Sequence, residues 1–218
     1  MKKNLKSKSI LCGCLSYCLI FISGCSMLGT RTVEEISYTV EVKSGSFEIR
    51  KYPATLLAQT TTQGTYKDSQ RNGFRALFKY ISGGNVSDKK VAMTAPVTQT
   101  QSSLKIPMTA PVFQESKFEG WTMAFVMPSK FKEVSELPKP VDSRVKLIKR
   151  PKALYAVMTF SGWSSEKKNK DKAKELKKWL EKLGRYKLVS NPIYAGYNPP
   201  WTLPFMRRNE VMIEVSNP

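Results

Sequence analysis

Histidine is absent from the 218-residue sequence. Its absence excludes Ser-His-Asp and Cys-His catalysis, imidazole acid–base chemistry, and the commonest protein ligand for haem iron and zinc. Cysteine is confined to Cys12, Cys14, Cys18 and Cys25, so nothing beyond residue 25 supplies a thiolate or a disulfide. A phosphate-cradling GxxxxGK[ST] loop is missing as well. Ser-x-x-Lys spacing occurs at Ser87–Lys90 and Ser143–Lys146, but so lysine-rich a chain produces it by chance, and no companion motif supports it. Carboxylates are scarce too: 17 Asp and Glu stand against 36 Lys and Arg, a formal charge of +19. No enzyme constellation survives these gaps. The charge points to an anionic partner, either lipid headgroups or an acidic small molecule, or else to a solvated basic surface beside an anionic leaflet.

What is present starts with an export signal. Lys2, Lys3, Lys6 and Lys8 precede a short apolar run from Ile10 to Ile22. That run is shorter than the ~20 residues of a comfortable membrane span but suits a signal peptide. It ends in Ile22-Ser23-Gly24-Cys25, which resembles the bacterial lipobox, with isoleucine where leucine is commoner. Residues 1–24 are therefore expected to be removed, Cys25 to be lipidated (palmitate among its chains), and residues 25–36 to form a tether. Several acyl chains, at ~0.8 kcal/mol per buried CH₂, would hold the protein on a membrane of the cell envelope. Ser26 resembles an outer-membrane sorting signal, which in a Gram-negative source places the protein on the periplasmic face. Export argues against a nucleic-acid partner. Loss of the four N-terminal lysines leaves 32 basic and 17 acidic side chains, a charge of +15.

The remainder, residues 37–218, reads as one domain of two related halves, about 38–112 and 144–215. Apolar and polar residues alternate at Tyr38–Val42 and Phe47–Arg50 around Ser44-Gly45, as in a hairpin, and Thr55–Thr62 is β-prone. From Lys67 the period becomes helical, with Phe74, Leu77, Phe78 and Ile81 recurring before Gly83-Gly84. The second half has strands at Val145–Lys149 and Ala153–Phe160, then a helix from about Ser165 to Leu183 stopped by Gly184. At an offset of 98 residues, Pro53, Leu56, Ala58 and Gly64 match Pro151, Leu154, Ala156 and Gly162, which reads as an internal duplication. Between the halves lie two near-copies, Lys90–Val97 and Lys105–Val112, each containing Met-Thr-Ala-Pro-Val, then a strand at Trp121–Met127 and a connecting loop from Pro128 to Ser143. The resulting class is α+β, with about eight strands and two helices.

The doubled Met-Thr-Ala-Pro-Val element and the run from Ala195 to Val211 (AGYNPPWTLPFMRRNEV) resemble the SOUL family of haem-binding proteins, over about Tyr38 to Val215. The resemblance implies a pseudo-twofold, distorted eight-stranded β-barrel carrying two α-helices. It also implies haem b or protoporphyrin IX as a non-covalent ligand, held rather than transformed. The same motifs read equally as structure: Arg207-Arg208-Asn209-Glu210 as a loop entering a last strand at Val211–Val215, with Glu210 ion-paired to an arginine, and Met93 and Met108 as packing residues. Where the family has a lysine in its proline-rich loop, this chain has Trp201-Thr202-Leu203.

The candidate ligand site is on the first helix. At ~100° per residue, Arg71, Arg75 and Lys79 span one cationic stripe, Phe78 sits at its edge, and Phe74, Leu77 and Ile81 lie further round. Haem presents apolar ring faces and two propionates, so it needs this pairing. The family implicates such helix positions in haem contact, and Arg71, Phe74, Arg75, Phe78 and Lys79 are the expected binding residues. An ordinary amphipathic helix with its cations in water fits the pattern too. Iron could be left to solvent or held by Met, Tyr or Lys, and no spacing singles out a ligand. Two other readings stay open: the same fold binding another amphipathic anion, and an envelope interaction lipoprotein with no small ligand.

Overall fold

The computed structural model describes residues 33–87, 104–117 and 120–217. Cys25, the signal segment and the first Met-Thr-Ala-Pro-Val copy with Met93 lie outside the described residues. The alternating stretches of the first half become β1 (Thr39–Ser44) and β2 (Phe47–Tyr52), the β-prone run after them becomes β3 (Thr55–Thr62), and Gly45 supplies the positive φ that the β1–β2 hairpin turn requires. Next come α1 (Tyr66–Ile81), β4 (Asn85–Val86), β5 (Val112–Lys117), β6 (Gly120–Val126) and β7 (Lys139–Pro140). The second half holds β8 (Lys146–Arg150), β9 (Ala153–Phe160), α2 (Glu166–Leu183), β10 (Lys187–Leu188), β11 (Ile193–Gly196) and β12 (Asn209–Ser216).

The class is α+β with two helices, as expected. Closure of the sheet into a barrel is not seen among the described residues. Ten strands form one antiparallel sheet in the order β1-β2-β9-β12-β11-β5-β6-β3-β8, with β10 added beside β12, and among the described residues β1 and β8 are edges that do not pair with each other. Eight strands have five or more residues; β4, β7, β10 and β11 are two to four residues long. Pieces that short carry too little alternation for a period-2 pattern to reveal them. The stretch from Pro128 to Ser143 is a loop apart from a 3-10 turn at Val134–Glu136 and β7.

The sheet is a palindrome. Gln114 pairs with Tyr194 at its centre, and outward from there the elements correspond: β5 with β11, β6 with β12, β3 with β9, β8 with β2. Registers repeat as well. Ile49 lies opposite Ala156, and Leu147 lies opposite Ala58, so each partner is displaced by the same 98 residues. The first strands are exchanged: β2 pairs with β9 of the second half, and β8 pairs with β3 of the first.

Each helix covers its own half. Ala76, Leu77, Tyr80 and Ile81 of α1 pack with Leu56, Ala58, Met123 and Phe125 from β3 and β6. Ala173, Leu176 and Leu180 of α2 pack with Ala156, Met158, Val211 and Ile213 from β9 and β12. Gly73 permits the close approach of α1, since a Cβ there would lie 3.2 Å from Met123 Cβ. The opposite face forms a third core, in which Tyr52, Leu57, Phe113, Tyr155, Tyr197 and Met212 bring both halves together. Tyr66 ties the two helix starts together: its hydroxyl accepts from Gln70 Nε2 at 3.0 Å and from Asn169 Nδ2 at 3.1 Å.

These buried phenols make the fold alkali-sensitive. Burial pushes the Tyr155 hydroxyl up to about 12 and raises Tyr52, Tyr80 and Tyr197 further, the last also beside Glu210. A group whose pKa is raised in the folded state contributes stability that is complete below its unfolded value, about 10 for tyrosine, and lost as pH climbs through the folded value. Stability should therefore hold to about pH 10 and then fall, with tyrosinate absorbance and loss of secondary structure appearing together. Full ionisation of these four phenols in a chain that still shows native circular dichroism would refute this.

Candidate functional site

Helix α1 begins where Thr65 caps it: Thr65 Oγ1 accepts from Asp68 N at 3.2 Å and donates to Asp68 Oδ2 at 2.7 Å. It ends at Ser82, and Gly84 N donates to Lys79 O at 2.8 Å in a turn where a Cβ on Gly84 would strike that carbonyl. Asn85 then clamps the incoming chain, donating through Nδ2 to Tyr80 O and Leu104 O at 2.8 Å each and accepting from Leu104 N at 2.9 Å. The second Met-Thr-Ala-Pro-Val copy follows as a strap. Ile106 N donates to Ile81 O at 2.7 Å, Ala110 N donates to Glu34 O at 2.9 Å, and Thr109 donates to the Val126 carbonyl. Met108 packs partly buried against the core under α1. These contacts make that copy a packing element.

All five expected binding residues lie on the solvent side of α1, while Leu77 and Ile81 turn into the core. Phe74 and Phe78 are 40% and 48% exposed. Their rings stack at 5.7 Å with a 12° interplanar angle, and the Phe74 ring meets buried Phe125 edge-on at 5.4 Å. The aromatic pair is thus propped from beneath by β6 and open above among the described residues. Arg71, Arg75 and Lys79 border it.

The three cations differ in their engagement. Arg71 Nη2 sits 3.2 Å from Asp68 Oδ1 in a solvent-exposed pair, which is weak enough to yield to a stronger anion. Arg75 has no ion-pair partner among the described residues. Lys79 helps hold the Asp142 carboxyl at about 2, although Arg144 does most of this through its side-chain and backbone hydrogen bonds. On α2, three of the lysines are engaged: Lys170 pairs with Glu166 at 2.7 Å, Lys172 with Glu175 at 2.9 Å, and Lys168 donates to Ser161 O at 2.8 Å. A flat apolar molecule with one or two carboxylates could rest on the α1 rings and reach cations on either side.

A second opening of about 480 Å³ lies between the first described residues and β3, lined by Glu34, Thr55, Met127, Phe131, Lys132 and Lys149 among others. That volume is within the ~300–1,000 Å³ of ligand sites, but carboxylates and ammonium groups share its wall. Among the described residues no group of three or more His, Cys, Asp or Glu could hold a metal. No described helix is long and apolar enough to cross a membrane.

The C-terminal motif turns inward. Glu210, on β12, is fully buried. Its Oε1 accepts from Arg50 Nη1 at 2.9 Å, from Arg208 Nη2 at 2.7 Å and from Thr159 Oγ1 at 3.2 Å, and its Oε2 accepts from Tyr197 at 2.6 Å. Arg50, equally buried, also donates to Glu48 at 2.6 Å. Arg208 is an expected partner. Arg50 is not, and its one clue is that it alternates into the buried side of β2.

The model of the family described as "SOUL heme-binding protein" matches residues 33–214. "Heme-binding protein 2" of Homo sapiens is 34% identical over 176 residues, covering 79% of this chain and 80% of the relative. The Mus musculus protein of the same description is 32% identical over 181 residues, with 82% of each chain covered. Among solved structures, the C-terminal domain of EcmrR aligns with a TM-score of 0.53 at 13% identity, over 83% of this chain and 99% of that one, which is a likeness of fold alone.

Proposed function

Because the chain belongs to the SOUL heme-binding protein family, we propose that it binds haem or a related tetrapyrrole on the exposed face of α1 and holds or carries it at the cell envelope. The observation that supports this reading most is the stacked, exposed Phe74–Phe78 pair bordered by Arg71, Arg75 and Lys79. The rings cover part of one porphyrin face, and the cations take the propionates. The haem-binding names of the relatives point the same way. Haem b and protoporphyrin IX are the specific ligands proposed, and holding or buffering, with no catalysed reaction, is the proposed role.

Affinity then arises from ring burial and propionate pairing, with no iron–imidazole or iron–thiolate bond. Titration of the protein with haem and with iron-free protoporphyrin IX tests this. The two dissociation constants should agree within about tenfold, or roughly 1.4 kcal/mol. A larger preference for haem with a low-spin, six-coordinate spectrum would refute it. Arg71→Glu with Lys79→Glu should weaken both ligands, by about tenfold or less for each exposed propionate pairing removed. Lys170→Glu with Lys174→Glu should change little. Equal losses at both helices would indicate bulk charge alone, and a loss confined to Lys132→Glu with Lys149→Glu would move the site to the second opening.

The envelope location rests on the sequence before residue 33. Cys25 is proposed to be the acylated N-terminus after removal of residues 1–24, on the outer membrane facing the periplasm in a Gram-negative source. Intact-mass measurement of the membrane-fraction protein should show a chain beginning at a modified Cys25. An unmodified Cys25 or a retained leader would end this proposal.

A further inference from the structure

The strongest apolar exposure is not on α1. Trp201 is 77% exposed, Phe205 73%, Trp163 61% and Leu203 50%. Single exposed apolar side chains are ordinary, but four large ones on two touching loops form a patch. The loops do touch: Gly162 N donates to Pro204 O at 2.8 Å, and Asn209 Nδ2 donates to Gly162 O at 2.9 Å. Arg207 is the joint. Its guanidinium lies 3.9 Å from the Trp163 ring centroid, its Nε donates to Thr202 O at 2.8 Å, and it also donates to the Pro200 carbonyl. The 3-10 turn Pro204–Met206 and the bond from Arg208 N to Asn198 Oδ1 at 2.7 Å complete the loop's internal bonding. The backbone and the arginines are thus satisfied from within while the tryptophans and phenylalanine point outward. None of this apolar surface serves the core.

We propose that this patch is a membrane-docking surface, in which Trp163, Trp201, Leu203 and Phe205 enter the headgroup region of a bilayer containing anionic lipid. The chemistry fits that occupant. Tryptophan and other rigid amphipathic rings settle at the membrane–water interface. No Asp or Glu occurs between Glu181 and Glu210, so the longer loop carries no carboxylate; Glu166, three residues after Trp163, is paired with Lys170 at 2.7 Å, and Arg207, and Lys168 beside Ser161, stand close to the patch. A basic rim and an apolar tip are the paired attractions of peripheral membrane binding.

The chain's own path supplies an independent argument. Glu35, three residues into the described chain, pairs with Arg208 at 3.0 Å, so the domain is entered beside the loop that carries the patch. Seven residues lie between Cys25 and Val33, so the eight steps from one to the other reach at most about 28 Å. An acyl chain on Cys25 therefore keeps this end of the domain near the bilayer. In this respect the inference rests on the lipid-anchored reading, and the patch adds orientation: one fixed end of the domain faces the membrane and the α1 rings are left to their ligand.

Tryptophan emission reads this out. The full-length protein from the membrane fraction is reconstituted into phosphatidylcholine–phosphatidylglycerol vesicles with brominated or ordinary acyl chains, and its Cys25 mass is measured on the same sample. Emission should be lower in the brominated vesicles. That difference should vanish in Trp163→Ser with Trp201→Ser, and also in Leu203→Ser with Phe205→Ser, which keeps both tryptophans and native circular dichroism. Equal wild-type emission in the two vesicles, from an acylated and vesicle-bound chain, overturns the docking surface and leaves the anchor intact. So would crosslinking of position 201 to a protein in place of lipid. Quenching of a chain without an acyl group upholds the docking surface and refutes the anchor.

Discussion

Replacing Glu210 with alanine should destabilise the domain by about 3–5 kcal/mol, because Arg50 is left charged, buried and without its main counter-charge. Against a typical total of about 5–15 kcal/mol, that is enough to unfold a large share of molecules. Both side chains are almost wholly removed from water, with 3% of the Arg50 side chain and none of Glu210 exposed. The cost therefore comes chiefly from desolvation of the survivor. Glu210→Gln should behave much like Glu210→Ala, since it removes the charge and keeps the shape. Arg50→Met with Glu210→Leu should cost clearly less than the two single replacements together, because the two most deeply buried charges leave together, while Glu48 keeps Lys43 at 3.0 Å and Arg208 keeps Glu35 at 3.0 Å. Urea unfolding monitored by circular dichroism decides it, provided the denaturant slope is unchanged. A loss below about 1 kcal/mol for Glu210→Gln would place the pair among weak exposed ion pairs and refute this account.

Phe74→Ser with Phe78→Ser should lower tetrapyrrole affinity by up to about a hundredfold, and should also cost about 0.8–1.5 kcal/mol of stability per ring, because each ring is already about half covered in the free protein. Full burial of such a ring is worth roughly 1.5–3 kcal/mol, and these rings are already about half covered in the free protein. Each then has about 0.6–1.4 kcal/mol left to gain from a bound porphyrin, or roughly three- to tenfold per ring. The expected loss exceeds that from the flanking cations, whose contacts stay in water. Fluorescence quenching of protoporphyrin or haem absorbance measures affinity, and a urea curve on the same variant controls for folding. Unchanged affinity in a folded double variant would remove α1 as the site and leave the opening beside Glu34 and Lys149 as the place to look.

Neither the stacking of those two phenylalanines nor their exposure is readable from helical spacing. The period groups Phe74, Leu77, Phe78 and Ile81 on one broad apolar side. Only the seating of α1 on β3 and β6 separates buried Leu77 and Ile81 from open Phe74 and Phe78, and that seating depends on Gly73 meeting Met123. The cations are a partial case. Arg71, Arg75 and Lys79 are rightly exposed, but the pull of Asp142 on Lys79 joins positions 63 residues apart. The exposed loop is a sharper one: Trp201 and Phe205 are plain in the sequence as apolar residues in a proline-rich run, yet Trp163 joins them only because Gly162 bonds to Pro204.

Composition and local pattern settle whatever short-range physics controls. They exclude imidazole and thiolate chemistry beyond residue 25, and they set the helix ends through Thr65, Ser165 and Gly184, each a cap acting on its own first or last turn. Alternation marks β1 and β2 as strands, β-prone or near-continuous apolar runs mark β3, β6 and β9, and two local motifs identify the family. Which strand lies beside which is a matter for the folded chain. The exchange of β2 and β8 between halves, the edge positions of β1 and β8 among the described residues, and the meeting of Arg50 with Glu210 across 160 residues all follow from sheet pairing. The physical reason is that a backbone hydrogen bond is nearly indifferent to side-chain identity. A strand's pattern therefore fixes the face it presents but not its neighbour, and the neighbour is chosen by the packing of the whole core.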